Sequence, residues 1–274
     1  MPRRVAHAAG ALLGWIWYYL VPVRRPVARA NLRLAFPDKS EKERRRIARR
    51  CFVHLARSAV EFLRLPGSSR RKVDGLLEHT GWEHYERAME KGRGVIVVTA
   101  HFGNFDLLAC AQAVRGVPLH ILTREQHVGG FNRYWMSVRK GLGVGMLPVK
   151  KSAIRIYRLL KDKQVVAMVI DQHAPQGRGV VVPFFGHPAS TVHAPALLAA
   201  TTKAPLLPAT IERLPGGRHR VTLEPPVQVD ETRERGAEVL RVTRELNRWL
   251  EDKIRARPDH WLWIHRRWKA GGLV

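Results

Sequence analysis

The sequence predicts an α/β fold: a mixed, mostly parallel central sheet flanked by helices, preceded by an N-terminal membrane-associated helix. Two observations carry this. Short apolar runs at Gly94–Thr99, Leu119–Leu122, Gly145–Pro148 and Val165–Ile170 read as buried strands, and helical patterns fill the gaps between them at 104–115, 128–141 and 151–162. Continuous apolar strands separated by helices are what a sheet covered on both faces requires. With 274 residues, 45% of them hydrophobic, the chain can bury a substantial core.

The elements follow in order. Val5–Val23 carries no formal charge over 19 positions, roughly 28 Å as a helix and close to the thickness of a bilayer core. Trp15, Trp17, Tyr18 and Tyr19 gather in its second half, and arginines flank it at 3, 4, 24, 25, 29 and 33. A cleaved signal peptide needs a small-x-small site, which Leu20-Val-Pro-Val-Arg-Arg does not supply. A buried core helix is the structural alternative, since the stretch contains Gly10, Gly14 and Pro22. The aromatics and basic flanks favour a retained anchor, spanning or lying in one leaflet, with the bulk of the protein on the cytoplasmic side. The simplest division is an anchor at 1–25 and one catalytic domain at 26–274.

Ser40 and Glu43 form a capping box that opens a helix reaching about Leu65. Its arginines (44, 45, 46, 49, 50, 57) oppose Ile47, Phe52, Leu55 and Phe62, giving either a solvated face or one that meets lipid phosphate. After the central units come a helix near 192–203, a strand near 205–211, a turn at Leu214–Gly217, a long helix at 231–256 and an aromatic, basic tail.

Charge narrows the function classes. The net charge is +25, from 48 Lys and Arg against 23 Asp and Glu, which favours anionic partners. A nucleic-acid-binding protein is the rival class. It lacks support from a helix-turn-helix, zinc spacing or RNP-type aromatic motif, and the arginines concentrate near the anchor and last helix. No nucleic-acid partner is expected; a membrane surface is. Cys51 and Cys110 lie in apolar segments without CxxC spacing, so they read as buried free thiols. The histidines at 173, 187 and 193 are scattered, and no metal is expected.

His101 stands just beyond an apolar strand, the end at which α/β proteins place their sites. Asp106 follows five positions later, a spacing that separates side chains by about 140° on a regular helix. Gly103 lets the chain fold back, so that the carboxylate accepts a bond from one imidazole nitrogen and leaves the other as general base. Alone, a histidine near a strand end is more often structural.

The company it keeps adds to this. Thr99-Ala-His-Phe-Gly-Asn-Phe-Asp-Leu-Leu108 resembles the His-x4-Asp/Glu block of glycerolipid acyltransferases, most closely the bacterial lipid A biosynthesis acyltransferase family. Asn31-Leu-Arg-Leu-Ala-Phe-Pro37, Arg139 in Ser137-Val-Arg-Lys-Gly141, Asp171-Gln172 with Val182-Pro-Phe-Phe-Gly186 and Thr191, and His260-Trp-Leu-Trp-Ile-His-Arg-Arg-Trp-Lys269 resemble its other blocks in order and spacing. The resemblance covers about 12–269. Two positions depart: Asp106 stands where the lipid A enzymes usually carry Glu, and Ala194 replaces a usual glycine.

The resemblance implies transfer of a fatty acyl group from an acyl carrier protein or coenzyme A thioester to a hydroxyl of a lipid A precursor or similar glycolipid, at the bacterial inner membrane. Phosphatidylinositol mannoside and lysophospholipid acceptors are the alternatives, since Asp is usual in those enzymes. No cofactor is implied beyond the thioester cosubstrate. His101 would be the general base and Asp106 its partner. Arg139 is the side-chain candidate for the oxyanion. Asp171 would hold Arg139, orient the acceptor or cap a helix; Asn104 would donate within the site or cap. Phe185 and Gly186 would shape a loop, and His265, Arg266 and Arg267 would contact anionic headgroups or form structural salt bridges. No Gly-x-Ser-x-Gly elbow is present, so no covalent acyl-enzyme is called for.

Overall fold

The computed structural model describes residues 2–123, 129–149, 152–269 and 272. Three helices open the chain: α1 (Arg3–Leu20), α2 (Arg25–Ala35) and α3 (Glu41–Phe62). A short α4 (Arg70–Asp74), strand β1 (Leu77–Thr80) and helix α5 (Trp82–Glu90) lead into the alternating core. There β2 (Val95–Thr99), α6 (Phe105–Val114), β3 (Leu119–Thr123), α7 (Gly129–Gly141), β4 (Gly145–Pro148), α8 (Ala153–Lys161) and β5 (Val165–Val169) follow the predicted runs. Positions 128 and 151 of the predicted helices lie outside the described residues. A hairpin of β6 (Gly179–Phe184) and β7 (His187–Val192), then α9 (Ala194–Thr202), β8 (Leu206–Arg213), β9 (His219–Leu223) and α10 (Arg235–Ala256) complete the fold.

Seven strands form one sheet in the order β1-β9-β8-β2-β5-β3-β4. Every pairing is parallel except β8 with β9, whose short connection permits the antiparallel turn. Alternation sorts the strands into two buried faces. Ile96, Val98, Val166 and Met168 pack with α2, α3, α9, α10 and the C-terminal tryptophans. Val95, Val97, Val165, Ala167, Leu207 and Ala209 face Trp82 and Tyr85 of α5 and Ala109 of α6. The β6–β7 hairpin is a separate two-stranded sheet. Its two-residue turn is Phe185-Gly186, both with positive φ (50° and 76°), the geometry that matches strand twist. Phe185 tolerates that conformation because Glu251 Oε1 accepts its N–H at 2.8 Å and Arg255 lies over its buried ring.

The capping box at Ser40 forms as the sequence predicts, Ser40 N donating to Glu43 Oε2 at 2.8 Å. The expectation of a spanning anchor is corrected: among the described residues no helix is long and apolar enough to cross a membrane. Helix α1 opens on Arg3 and Arg4 and contains His7, and it packs on α3 along a face of small residues. Ala6, Gly10, Gly14 and Tyr18 form the buried face of α1. A Cβ on Gly14 would lie 2.4 Å from Val53 Cα, so the two backbones meet closely at α3. The opposite face leaves Leu12, Leu13, Trp15, Ile16, Tyr19 and Leu20 exposed.

Candidate active site

The parallel register between β2 and β5 aligns Thr99 with Val169, so two residues further on His101 and Asp171 come to stand side by side. Asp171 is 2% exposed and its carboxylate accepts three bonds. His101 N–H donates to Oδ2 at 3.1 Å, Trp261 Nε1 donates to Oδ2 at 3.0 Å, and His101 Nδ1 lies 2.9 Å from Oδ1. Burial opposes both charges. The mutual attraction and hydrogen bond outweigh it, holding Asp171 below the usual carboxylate range and raising His101 above the usual imidazole one. With an ionised carboxylate at Nδ1, that nitrogen carries the proton and Nε2 is the basic one, with the Gln172 side-chain amide 3.5 Å away.

This corrects the expected pairing of His101 with Asp106. Gly103 does turn the chain as predicted (φ +63°), with no room for a Cβ beside Ile211 O. The turn, however, starts α6 with Asp106 aimed at α7. There Arg139 Nε donates to Asp106 Oδ1 at 2.9 Å, its Nη2 makes a second bond to the same oxygen, and Trp135 Nε1 donates at 3.2 Å. Asp171 accordingly does not hold Arg139. Asp106 is buried and Arg139 partly so, and both charges lie near enough to act on His101.

Asn104 caps α6, its Oδ1 accepting from Leu107 N at 3.1 Å. Its Nδ2 donates to Glu61 Oε2 at 2.7 Å, and Glu61 also binds His7, Arg213 and His219. Glu61 therefore ties α1, α3, β8 and β9 to the segment bearing His101 and Asp106. The C-terminal block backs the same segment: Gly103 N donates to His260 O at 2.9 Å and Leu262 N to His101 O at 3.1 Å. Asn31 reaches across from α2, donating to the carbonyls of Trp263 and His265, both at 2.7 Å.

Arg267 does not face a headgroup. It is fully buried, with Ser190 O at 2.5 Å, Thr191 Oγ1 at 2.6 Å and the Phe184 ring beneath it, and burial pulls the guanidinium down to about 10. Arg266, its neighbour, is exposed. Glu61 and the role of Trp261 escaped sequence reasoning, while His265, expected at headgroups or in a structural salt bridge, supports the backbone instead. His265 Nε2 accepts from His173 N at 3.0 Å, and burial lowers its imidazole to about 4, so it acts as a neutral support for the turn after Asp171. Cys51 and Cys110 are free, buried thiols pushed up to about 12 by burial. Among the described residues no cluster of His, Cys, Asp or Glu could hold a metal ion.

His101, Asp106 and Arg139 all border one cavity of about 960 Å³. It runs between the sheet and α6, past Val169, Ala167 and Val165 of β5 and Ile121 and Leu119 of β3, to Trp82 and Tyr85. The four steps from Val165 to Val169 correspond to about 13 Å along the strand. Its walls are mostly apolar, and His101, Asp106, Arg139 and Gln172 are among the polar groups that line it.

The model of the family described as bacterial lipid A biosynthesis acyltransferase matches residues 1–270. Similar proteins include a lipid A biosynthesis palmitoleoyltransferase of Escherichia coli (strain K12), 26% identical over 98% of this chain and 87% of its own length. A lipid A biosynthesis lauroyltransferase of the same strain is 24% identical with the same coverage. A phosphatidylinositol mannoside acyltransferase of Mycobacterium tuberculosis is 27% identical over 54% of this chain and 48% of its own. With an α/β architecture, a His101 site and a family match across nearly its whole length, this chain belongs to the bacterial lipid A biosynthesis acyltransferases.

Proposed function

We propose that this acyltransferase moves a fatty acyl group from a thioester to a hydroxyl of a lipid A precursor, with His101 as general base. The supporting observation is the long, mostly apolar cavity lined by a carboxylate-oriented imidazole, whose Nε2 has only the Gln172 amide, at 3.5 Å, near it among the described residues. The acyl chain lies along β5 beneath α6, which brings its carbonyl carbon to His101. His101 Nε2 takes the acceptor hydroxyl's proton as the oxygen attacks that carbon. The tetrahedral oxyanion is stabilised by Arg139, whose orientation Asp106 and Trp135 fix. The C–S bond then breaks, and the imidazolium returns its proton to the departing thiolate. Asp171 holds the tautomer throughout and stabilises the charged ring.

The donor is an acyl carrier protein or coenzyme A thioester. The exposed apolar face of α1, bordered by Arg24, Arg25 and Arg49, seats the protein in the surface of the inner membrane on its cytoplasmic side, where the acceptor lies. A phosphatidylinositol mannoside-type acceptor is the second reading. It is favoured by Asp106, in place of the glutamate usual in lipid A enzymes, and by similarity to the mycobacterial relative.

Detergent-purified protein, offered both thioesters with lipid A precursor and mannoside acceptors, tests this by mass spectrometry of the lipid. Acylated lipid A precursor is expected, with His101→Ala reducing the rate at least a hundredfold. Full activity in that variant would overturn the assignment of the base.

A further inference from the structure

Beyond His101 the cavity rim is built by the segment after β5 and by the open end of the β6–β7 hairpin. The hairpin register pairs Gly179 with Val192, so the next positions outward, Arg178 and His193, stand opposite one another. The segment leading to Arg178 is held down on β7. Ala174 N donates to Ser190 O at 3.2 Å and Ser190 Oγ donates to Ala174 O at 2.8 Å. Gly179 permits this closeness, since a Cβ there would lie 2.5 Å from Ala174 Cβ. His173, Arg178 and His193 are thereby brought to the cavity that His101 lines.

These side chains are uncommitted. Arg139 is bound by Asp106 and Arg267 by Ser190 and Thr191, whereas the exposed Arg178 guanidinium has no ion-pair or hydrogen-bond partner among the described residues. Nδ1 of His173 and Nδ1 of His193 are buried and lack partners among the described residues, which leaves Nε2 as the nitrogen each ring can offer to a ligand. The surrounding field is positive: burial together with the Arg267 and Lys269 charges lowers the His173 imidazole below its usual range. His193 precedes the first turn of α9, whose positive end adds to that field. The carboxylates nearby are occupied. Asp171 holds His101, and Glu234, which shares a shallow depression with His193 and Arg235, accepts from Gly236 N and Ala237 N.

We propose that His173, Arg178 and His193 form a phosphate-binding arm at the rim of the cavity, taking a phosphate ester carried by one of the two substrates. It rests on the acyl-transfer reading and specifies what the site recognises besides the acyl chain. The Arg178 fork matches two phosphate oxygens, and each imidazole supplies one N–H. Such an ester occurs on a glycolipid headgroup and on the pantetheine arm of a carrier, and the arm's chemistry suits both.

Isothermal titration of phenyl phosphate into the purified full-length protein reads the site without turnover. Wild type is expected to bind, Arg178→Gln at least fivefold more weakly, and Arg178→Glu not at all; Arg178 is exposed, so all three should melt alike. No binding by wild type, or equal binding by the variants, overturns the proposal. Kinetics then find the source. The increase in KM caused by Arg178→Gln, expected to be about tenfold, should vanish either with phosphatase-treated acceptor or with an N-acetylcysteamine thioester donor. The first outcome places the phosphate on the acceptor, the second on the donor. An increase of equal size with every substrate overturns the proposal. Absence of any transfer by wild type would sink the acyl-transfer reading instead, and the titration would still decide the arm.

Discussion

His101 Nδ1 lies 2.9 Å from Asp171 Oδ1, and the two residues are neighbours because β2 and β5 pair in parallel 70 positions apart. Asp171→Asn removes the charge while keeping the shape. The amide can offer its N–H to Nδ1 and so stabilise the wrong tautomer, and kcat should fall by about 10³–10⁴. The pH dependence gives a sharper check. Asp171 raises the His101 value above 6.5, and only neutral His101 accepts a proton. The acid limb of kcat/KM should therefore lie above 6.5 in wild type and move to lower pH in the variant's residual activity. The same shift acts on stability. A folded value raised above the unfolded one means His101 adds stability that is fully present below pH 6.5 and is lost as pH rises through the folded value. Melting curves across that window should lose this contribution in Asp171→Asn.

Asp106, buried, and Arg139, partly buried, form an ion pair at the same cavity, and each is the other's compensation. Asp106→Ala leaves a guanidinium that is only 16% exposed without its carboxylate, with Met136 Sδ at 3.7 Å, and should cost up to about 3–5 kcal/mol in denaturant unfolding. Asp106→Glu retains the charge and should preserve most of the activity. If Asp106→Ala were as stable as wild type, the pairing seen here would not be what holds Arg139.

Much of the fold was legible because the central strands are covered on both faces. Continuous apolar runs such as Val95–Thr99 and Val165–Val169 leave little ambiguity, and the capping box marks the start of α3 directly. The polar, half-exposed β1 (Leu-Glu-His-Thr) and the Pro-containing strands of the β6–β7 hairpin gave no such signal. The site was legible as a set of residues but not as a set of partnerships. Asp106 is close to His101 in sequence, while Asp171 is close only once the strand order is known. Trp261 donates to Asp171 from the far end of the chain, and no spacing rule reaches that distance. Arg267 reads as a surface cation until the hairpin carbonyl of Ser190 closes over it.

The contact of α1 with α3 depends on residues without side-chain bulk. Any Cβ at Gly14 would meet Val53 Cα at 2.4 Å and Phe52 O at 2.9 Å, both backbone atoms that cannot rotate away. Gly14→Val should force the helices apart and lower stability by about 1–3 kcal/mol, read as a lower Tm. Leu13→Ser, on the exposed face, should leave Tm in detergent unchanged while weakening flotation with anionic vesicles.

If the acyl chain lies in the cavity as proposed, the cavity's walls set which chains fit. Ala167 stands midway along β5 on its wall, and Trp82 and Tyr85 border its far end. Enlarging Ala167 to Leu fills the channel between Val169 and Val165, so the distal methylenes of a long chain lose their place. Each excluded methylene forfeits about 0.8 kcal/mol of burial, so two or three shift the preference toward shorter chains by at least tenfold. Trp82→Ala removes an aromatic wall from the opposite end and should admit longer ones. Competition between thioesters of graded length, read by mass spectrometry of the product lipid, separates the two variants. Identical product profiles in wild type, Ala167→Leu and Trp82→Ala would mean that the acyl chain lies elsewhere.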